Sequence, residues 1–80
     1  MVTVRYFAGA RAAAGTTEEQ LPSGTTLDGL LAALADRHGP KLVAVLHVAS
    51  FLVDGVRWRD HHRPLPDPAT VDVLPPFAGG

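Results

Sequence analysis

The residues best suited to chemistry lie at one end of the chain, in the run Leu74-Pro75-Pro76-Phe77-Ala78-Gly79-Gly80. Proline fixes its own φ near −65° and drives the residue before it into extended conformations, so Pro75 and Pro76 send the backbone straight out. Residues 75–80, at about 3.3–3.6 Å each, make an arm of roughly 20 Å, long enough to enter the cleft of another protein. Gly79 and Gly80 bring no side chains, so the backbone can pass a narrow channel and present the Gly80 carboxylate with nothing bulky beside it. A terminal glycine pair arises by chance in roughly one chain in 200 at average glycine usage, and the stiff dipeptide before it argues against a frayed end. A free carboxylate resists nucleophiles until one of its oxygens becomes a leaving group. The sequence holds no GxxxxGK phosphate loop with which to bind ATP itself, so activation falls to a partner.

Other reactive residue types read as structural. His61 and His62 are adjacent in an Asp/Arg/Pro loop, with His38 and His47 elsewhere, and adjacent histidines lack the turn-separated spacing of metal ligands; a solvated loop and no metal site are predicted. Trp58 between Arg57 and Arg59 has the composition of a stacking platform, but a single tryptophan on a hairpin more often packs against a sheet. Tyr6 and Thr70 have no base in a triad-like arrangement. There is no cysteine, which excludes a thiol nucleophile, a persulfide relay residue, an iron–sulfur cluster and a thiolate zinc site on this chain.

At 80 residues, 46% of them apolar, the chain encloses one modest core and so forms one domain. A formal charge of −1, with both signs interspersed, provides no electrostatic footprint for nucleic acid. The opening MVTVRYFA lacks a signal-peptide layout, and no apolar run approaches the roughly 18 residues of a membrane span. No membrane, a cytoplasmic setting and a protein partner are therefore expected.

The elements that position the arm follow from periodicity. Residues 2–8 alternate, with Val2, Val4 and Tyr6 on one face and Thr3, Arg5 and Phe7 on the other, which predicts a strand. GARAAAG suits a short helix ending at Gly15, and a brief strand is predicted at 17–21. Leu27, Leu30, Leu31 and Leu34 share one helical face from Thr26 to His38; Thr25 or Thr26 can cap it, Asp28 and Arg37/His38 suit its two ends, and Gly39-Pro40 stops it. Residues 41–47 fit a short helix or an extended run, and Pro40 at a first helical position favours the helix. A hairpin of strands at 50–53 and 56–59 turns on Asp54-Gly55, and a last strand covers 70–74. This order predicts an α+β fold, a mixed sheet of about five strands with one main helix across one face. It is the order of the β-grasp (ubiquitin-like) fold, with the first and last strands side by side. Residues 1–80 are read as a single domain with 75–80 as its extended tail.

Both ends of the sequence resemble a known family. VRYFAGARAAAG and VDVLPPFAGG are similar to the opening and closing motifs of the MoaD/ThiS sulfur carriers, closest to MoaD, the small subunit of molybdopterin synthase. The resemblance implies that an E1-like (MoeB-like) enzyme adenylates the Gly80 carboxylate with ATP. A sulfurtransferase or other sulfur donor then converts it to a thiocarboxylate, and the sulfur passes to a pterin precursor on the large synthase subunit (MoaE-like). Gly80 is then the acyl site and Gly79 the threading residue, and no cofactor is bound by this chain, which is not catalytic alone. Phe7 and Arg11 match the family's docking surface and, with Leu74, Pro75, Pro76 and Phe77, would form an apolar patch with a basic anchor; the alternative is a part-buried Phe7 and a merely solvated Arg11. Ala12 and Pro66-Asp67-Pro68 depart from the family pattern and leave the partner open. A thiazole or cysteine precursor as acceptor, a ubiquitin-like modifier, and a plain β-grasp interaction module are the other readings.

Overall fold

The alternation at the start of the chain builds β1 (Val2–Tyr6), with Val2, Val4 and Tyr6 buried on one face. The structure, a computed structural model, describes residues 1–76. β1 stops short of the predicted position 8 because Ala8, at φ 50° and ψ −125°, turns the chain off the sheet into α1 (Gly9–Ala14). Gly15 closes that helix in the left-handed conformation, φ 76°, which glycine adopts without a Cβ penalty. β2 (Glu18–Leu21) returns antiparallel to β1, beginning one residue later than predicted, although Thr17 still accepts a hydrogen bond from the Tyr6 amide at 2.9 Å.

The main helix is α2 (Leu27–His38), and Thr26 rather than Thr25 caps it, its hydroxyl accepting the Gly29 amide at 3.1 Å. Residues 41–47 resolve as helix, α3 (Pro40–Val48), with Pro40 in its first turn. Then come β3 (Ser50–Val53), β4 (Val56–Arg57) and β5 (Ala69–Leu74). Asp54 and Gly55 have φ 50° and 83°, the two positive angles a tight two-residue hairpin turn requires. The predicted strand at 56–59 is cut to two residues. The Trp58 amide makes one more bond, to the Phe51 carbonyl, and the chain then swings under α2, where the His61 carbonyl accepts the Asp28 amide at 3.1 Å.

The sheet order is β2-β1-β5-β3-β4. β1 and β5 run parallel, from Val2 opposite Ala69 to Tyr6 opposite Val73, and every other neighbour pair is antiparallel. This is the mixed α+β sheet of the β-grasp fold, with first and last strands adjacent. Leu27, Leu30 and Leu34 of α2 and Leu42 and Leu46 of α3 cover one sheet face and pack on Val4, Tyr6, Phe51, Val71 and Val73. Leu31, grouped with this face by periodicity, is only half-buried, beside a groove between α2 and α3. Among the described residues the opposite sheet face carries no helix.

Leu30 and Leu34 are 1% and 0% exposed, so Leu30→Ala or Leu34→Ala should cost about 2–5 kcal/mol by transfer and cavity effects. Denaturant melts would measure it, and a loss below about 0.5 kcal/mol, the scale of surface changes, would contradict this packing.

Candidate functional site

Because β1 and β5 are parallel neighbours, both finish at the same end of the sheet, and the segment after Leu74 departs there. Phe7 remains tied to that end: its amide donates to the Val73 carbonyl at 3.3 Å. Arg11, on α1, is exposed but reaches back over the strand end, its Nε 3.4 Å from the Tyr6 carbonyl that accepts from it. Leu74 and Pro75 are half-buried, and Pro76 is exposed and lies in a turn, a departure from the straight course predicted for the proline pair. The structure thus gathers Phe7, Arg11, Leu74, Pro75 and Pro76 around the root of the tail. Phe77, Gly79 and Gly80 lie outside the described residues.

The uncovered face carries a polar row. The registers align Glu18, Arg5, Asp72, Leu52 and Arg57 in one row across all five strands. Arg5 grips Asp72 with two bonds, Nε to Oδ1 at 2.7 Å and Nη2 to Oδ2 at 2.9 Å, a fork geometry that fixes the guanidinium plane. Asp72 is only 7% exposed, and its hydrogen bond and charge hold the Arg5 guanidinium firmly protonated. That guanidinium also stands 5.6 Å from the centre of the Phe7 ring, so the half-buried Phe7 is oriented by a cation beside it. Sequence reasoning placed Arg5 on the Phe7 face, but the pair with Asp72 depends on strand register.

Comparison with known proteins bears on this arrangement. A family model described as the ThiS family matches residues 4–80, from within β1 to the last glycine. The chain belongs to the ThiS family. That membership places it in the MoaD/ThiS sulfur-carrier family. No curated protein matches its sequence. Among solved structures, a putative molybdopterin converting factor subunit 1 from Pyrococcus furiosus is 27% identical with a TM-score of 0.74, covering 94% of this chain and 95% of that one. The small archaeal modifier protein 1 from Methanosarcina acetivorans is 29% identical with a TM-score of 0.82, over 99% and 95% of the two chains. The complex of molybdopterin-converting factor subunits 1 and 2 from Helicobacter pylori matches at 24% identity and a TM-score of 0.74, over 99% and 97%, and supports the fold.

In this ThiS-family chain three of the four histidines, His38, His61 and His62, stand against carboxylates. His38 and Arg37, at the end of α2, reach Glu19 of β2 at 2.6 and 3.0 Å. His61 lies in the predicted solvated loop, its side chain 40% exposed. It bonds Asp28 at 2.8 Å and stands edge-on to Phe51, pinning the loop to α2. Among the described residues no three His, Cys, Asp or Glu side chains converge as metal ligands would. Trp58 is half-buried against the core with Arg63 over its ring at 4.8 Å; its packed reading stands, and its face is taken by the chain's own arginine. No helix of the described residues is long and apolar enough to cross a membrane.

Tyr6, 1% exposed, lies beneath the tail root with a hydroxyl that has no hydrogen-bond partner among the described residues. Burial first, and the negative charge of Glu19 second, push its phenol well above the ordinary value. A group whose folded pKa is raised contributes stability that is complete below its unfolded pKa, about 10 for tyrosine, and is lost as pH rises beyond it. Stability should therefore fall above about pH 10, with the phenolate absorbance of the single tyrosine appearing together with unfolding. Tyr6→Phe should remove most of that alkaline decline and leave neutral stability unchanged or higher, since it deletes an unpaired hydroxyl. A phenol titrating near pH 10 in the intact fold would contradict this burial.

Proposed function

We propose that this protein carries sulfur on its own C-terminus as a small subunit of molybdopterin synthase. The carboxylate of Gly80 attacks the α-phosphorus of ATP on an E1-like enzyme, pyrophosphate leaves, and an acyl adenylate forms. A sulfide equivalent from a sulfurtransferase or other donor then attacks the carbonyl carbon, the carbon–oxygen bond to AMP breaks, and a thiocarboxylate results. The tail delivers that sulfur to a pterin precursor held by a large, MoaE-like subunit. The observation that carries the reading is the family match extending to Gly80, across a tail that follows directly on β5 at the sheet centre. The relatives named as molybdopterin converting factor subunit 1, one in complex with subunit 2, support the choice of acceptor and partner.

A second reading shares the activation step. The likeness to an archaeal modifier protein at 29% identity favours transfer of the Gly80 acyl group to an amine instead of to sulfur. Isolating the protein from its source separates the two by mass: exchange of oxygen for sulfur adds about 16 Da, a bookkeeping difference of atomic masses, whereas conjugation leaves a branched peptide.

Removing Gly80 should abolish thiocarboxylate formation with little effect on stability. It withdraws the carboxyl by about 3.5 Å along an extended tail, and a misplacement of even 1 Å can cost about 100-fold in rate. Extension by one residue should fail differently, because the old carboxyl carbon is then locked in a peptide bond. Intact mass after incubation with ATP, a sulfide source and the activating enzyme is the measurement, and a normal gain of sulfur by either variant would overturn the proposal.

Phe7 and Arg11 flank the tail root without reacting. Phe7→Ala and Arg11→Ala should each weaken binding to the large subunit or to the activating enzyme by about 1–2 kcal/mol, with the fold intact. Calorimetric titration would read this, and unchanged affinity for both partners would reduce the pair to local structure.

A further inference from the structure

The corner between β1 and α1 breaks the local rules of its own sequence. Residues 7–10 form a tight turn, closed by the Ala10 amide donating to the Phe7 carbonyl at 3.0 Å. Its first central residue, Ala8, has φ 50° and ψ −125°, the angles of a type II′ turn, where glycine is the ordinary occupant because a Cβ is strained at positive φ. The glycine stands one position later, at Gly9, where the fold has no use for it. Gly9 is not among the residues with positive φ, a Cβ built on it would meet nothing within 4 Å, and alanine is the better helix former. Exchanging the two residues would suit the fold on both counts.

Packing does not account for the inverted order. Ala8 and Gly9 are both exposed, and Ala8 belongs neither to the core nor to the apolar groups packed against it. Backbone strain persists where the surrounding structure holds it, and here the hold is visible on both sides. The Phe7 amide is tied to the Val73 carbonyl at 3.3 Å, the Ala8 carbonyl accepts the Arg11 amide at 3.1 Å, and the Arg11 side chain donates to the Tyr6 carbonyl at 3.4 Å. Between Phe7 and Arg11, the two residues that flank the tail root, the domain thus presents a small fixed relief: an exposed methyl followed by bare backbone.

We infer that Ala8 and Gly9 are specificity-determining contacts of the surface that docks at the tail root, shaped for the partner and not for the fold. The inference rests on the docking of Phe7 and Arg11 proposed above. The occupant is the E1-like activating enzyme, the protein that selects this chain before ATP is consumed on its tail. A shallow apolar hollow of that enzyme receives the Ala8 methyl, and its surface approaches Gly9 more closely than a side chain there would allow. A methyl buried in such a hollow adds affinity. One added at Gly9 would occupy the space the partner needs.

The test titrates the full chain, Ala8→Gly, Gly9→Ala and the exchanged pair Ala8→Gly/Gly9→Ala into the activating enzyme by calorimetry, with denaturant melts of each chain alone. Stability and affinity are expected to move in opposite directions. The midpoints hold or rise, because glycine relieves the positive φ at position 8 and alanine favours the helix at position 9. Affinity falls about fourfold in Ala8→Gly, the scale of one buried methyl group, and about tenfold in Gly9→Ala, the scale of an overpacked contact. The exchanged pair is the most stable chain and the weakest to dock. Unchanged affinity in all three variants, or a loss that appears only with a lowered midpoint, overturns this inference, and a loss in Phe7→Ala in the same titration then leaves the docking reading standing. Unchanged affinity in Phe7→Ala and Arg11→Ala as well overturns both.

Discussion

The structure depends on the ladder between β1 and β5. It joins segments 67 residues apart in sequence, as the Arg5–Asp72 pair shows, and without it the sheet separates into two antiparallel fragments, β2 with β1 and β5 with β3 and β4. Parallel neighbours cannot be joined by a tight turn, so the chain must cross over the sheet between them. That crossing is where α2 and α3 lie, and it is why Leu27, Leu30, Leu34 and Leu42 meet the valines of both central strands. Closing so long a loop costs entropy that no disulfide offsets, since the chain has no cysteine. The cost falls on burial of those apolar side chains.

Polar contacts then pin particular segments to this frame. Asp72 ties β1 to β5, Glu19 ties β2 to the end of α2, Asp28 ties the 58–64 loop to the start of α2, and Asp67 ties Met1 and Ser23 to the approach to β5. Exposed pairs of this kind contribute about 0–1 kcal/mol each. Glu19 and Asp72, with side chains 12% and 10% exposed, are the more screened from water. A one-residue slip of β1 against β5 would turn Arg5 to the other face and leave the nearly buried Asp72 carboxylate without its partner, so the pair opposes misregister as well as adding strength.

The sequence was most legible where a local rule sufficed. Alternation set the faces of β1, the Leu27/Leu30/Leu34 spacing and a threonine cap set α2, Pro40 started α3, and Asp54-Gly55 set the hairpin turn. It was least legible where tertiary geometry overrode the pattern. Ala8 adopts a positive φ that alanine does not favour, and β4 ends at Arg57 because the following chain is drawn to α2. His61, polar and in a proline-rich loop, is recruited by Asp28 and Phe51 from distant segments. At the candidate site, Phe7, Arg11, Leu74, Pro75 and Pro76 came from motifs at the two chain ends. The part played by Arg5 and Asp72 required knowing which residues stand opposite across β1 and β5. Phe77, Gly79 and Gly80 rest on the motif alone.

The same central ladder has a mechanical meaning. A tail gripped in another protein's cleft transmits any pull along the axis of β5. That strand is hydrogen-bonded on both sides, to β1 running with it and β3 running against it. Force along the strand loads the rungs of both ladders together, in shear, whereas an edge strand peeled sideways would lose its rungs one at a time. A partner can therefore tug on the arm to withdraw it, or to turn it over, without unravelling the domain at the other end.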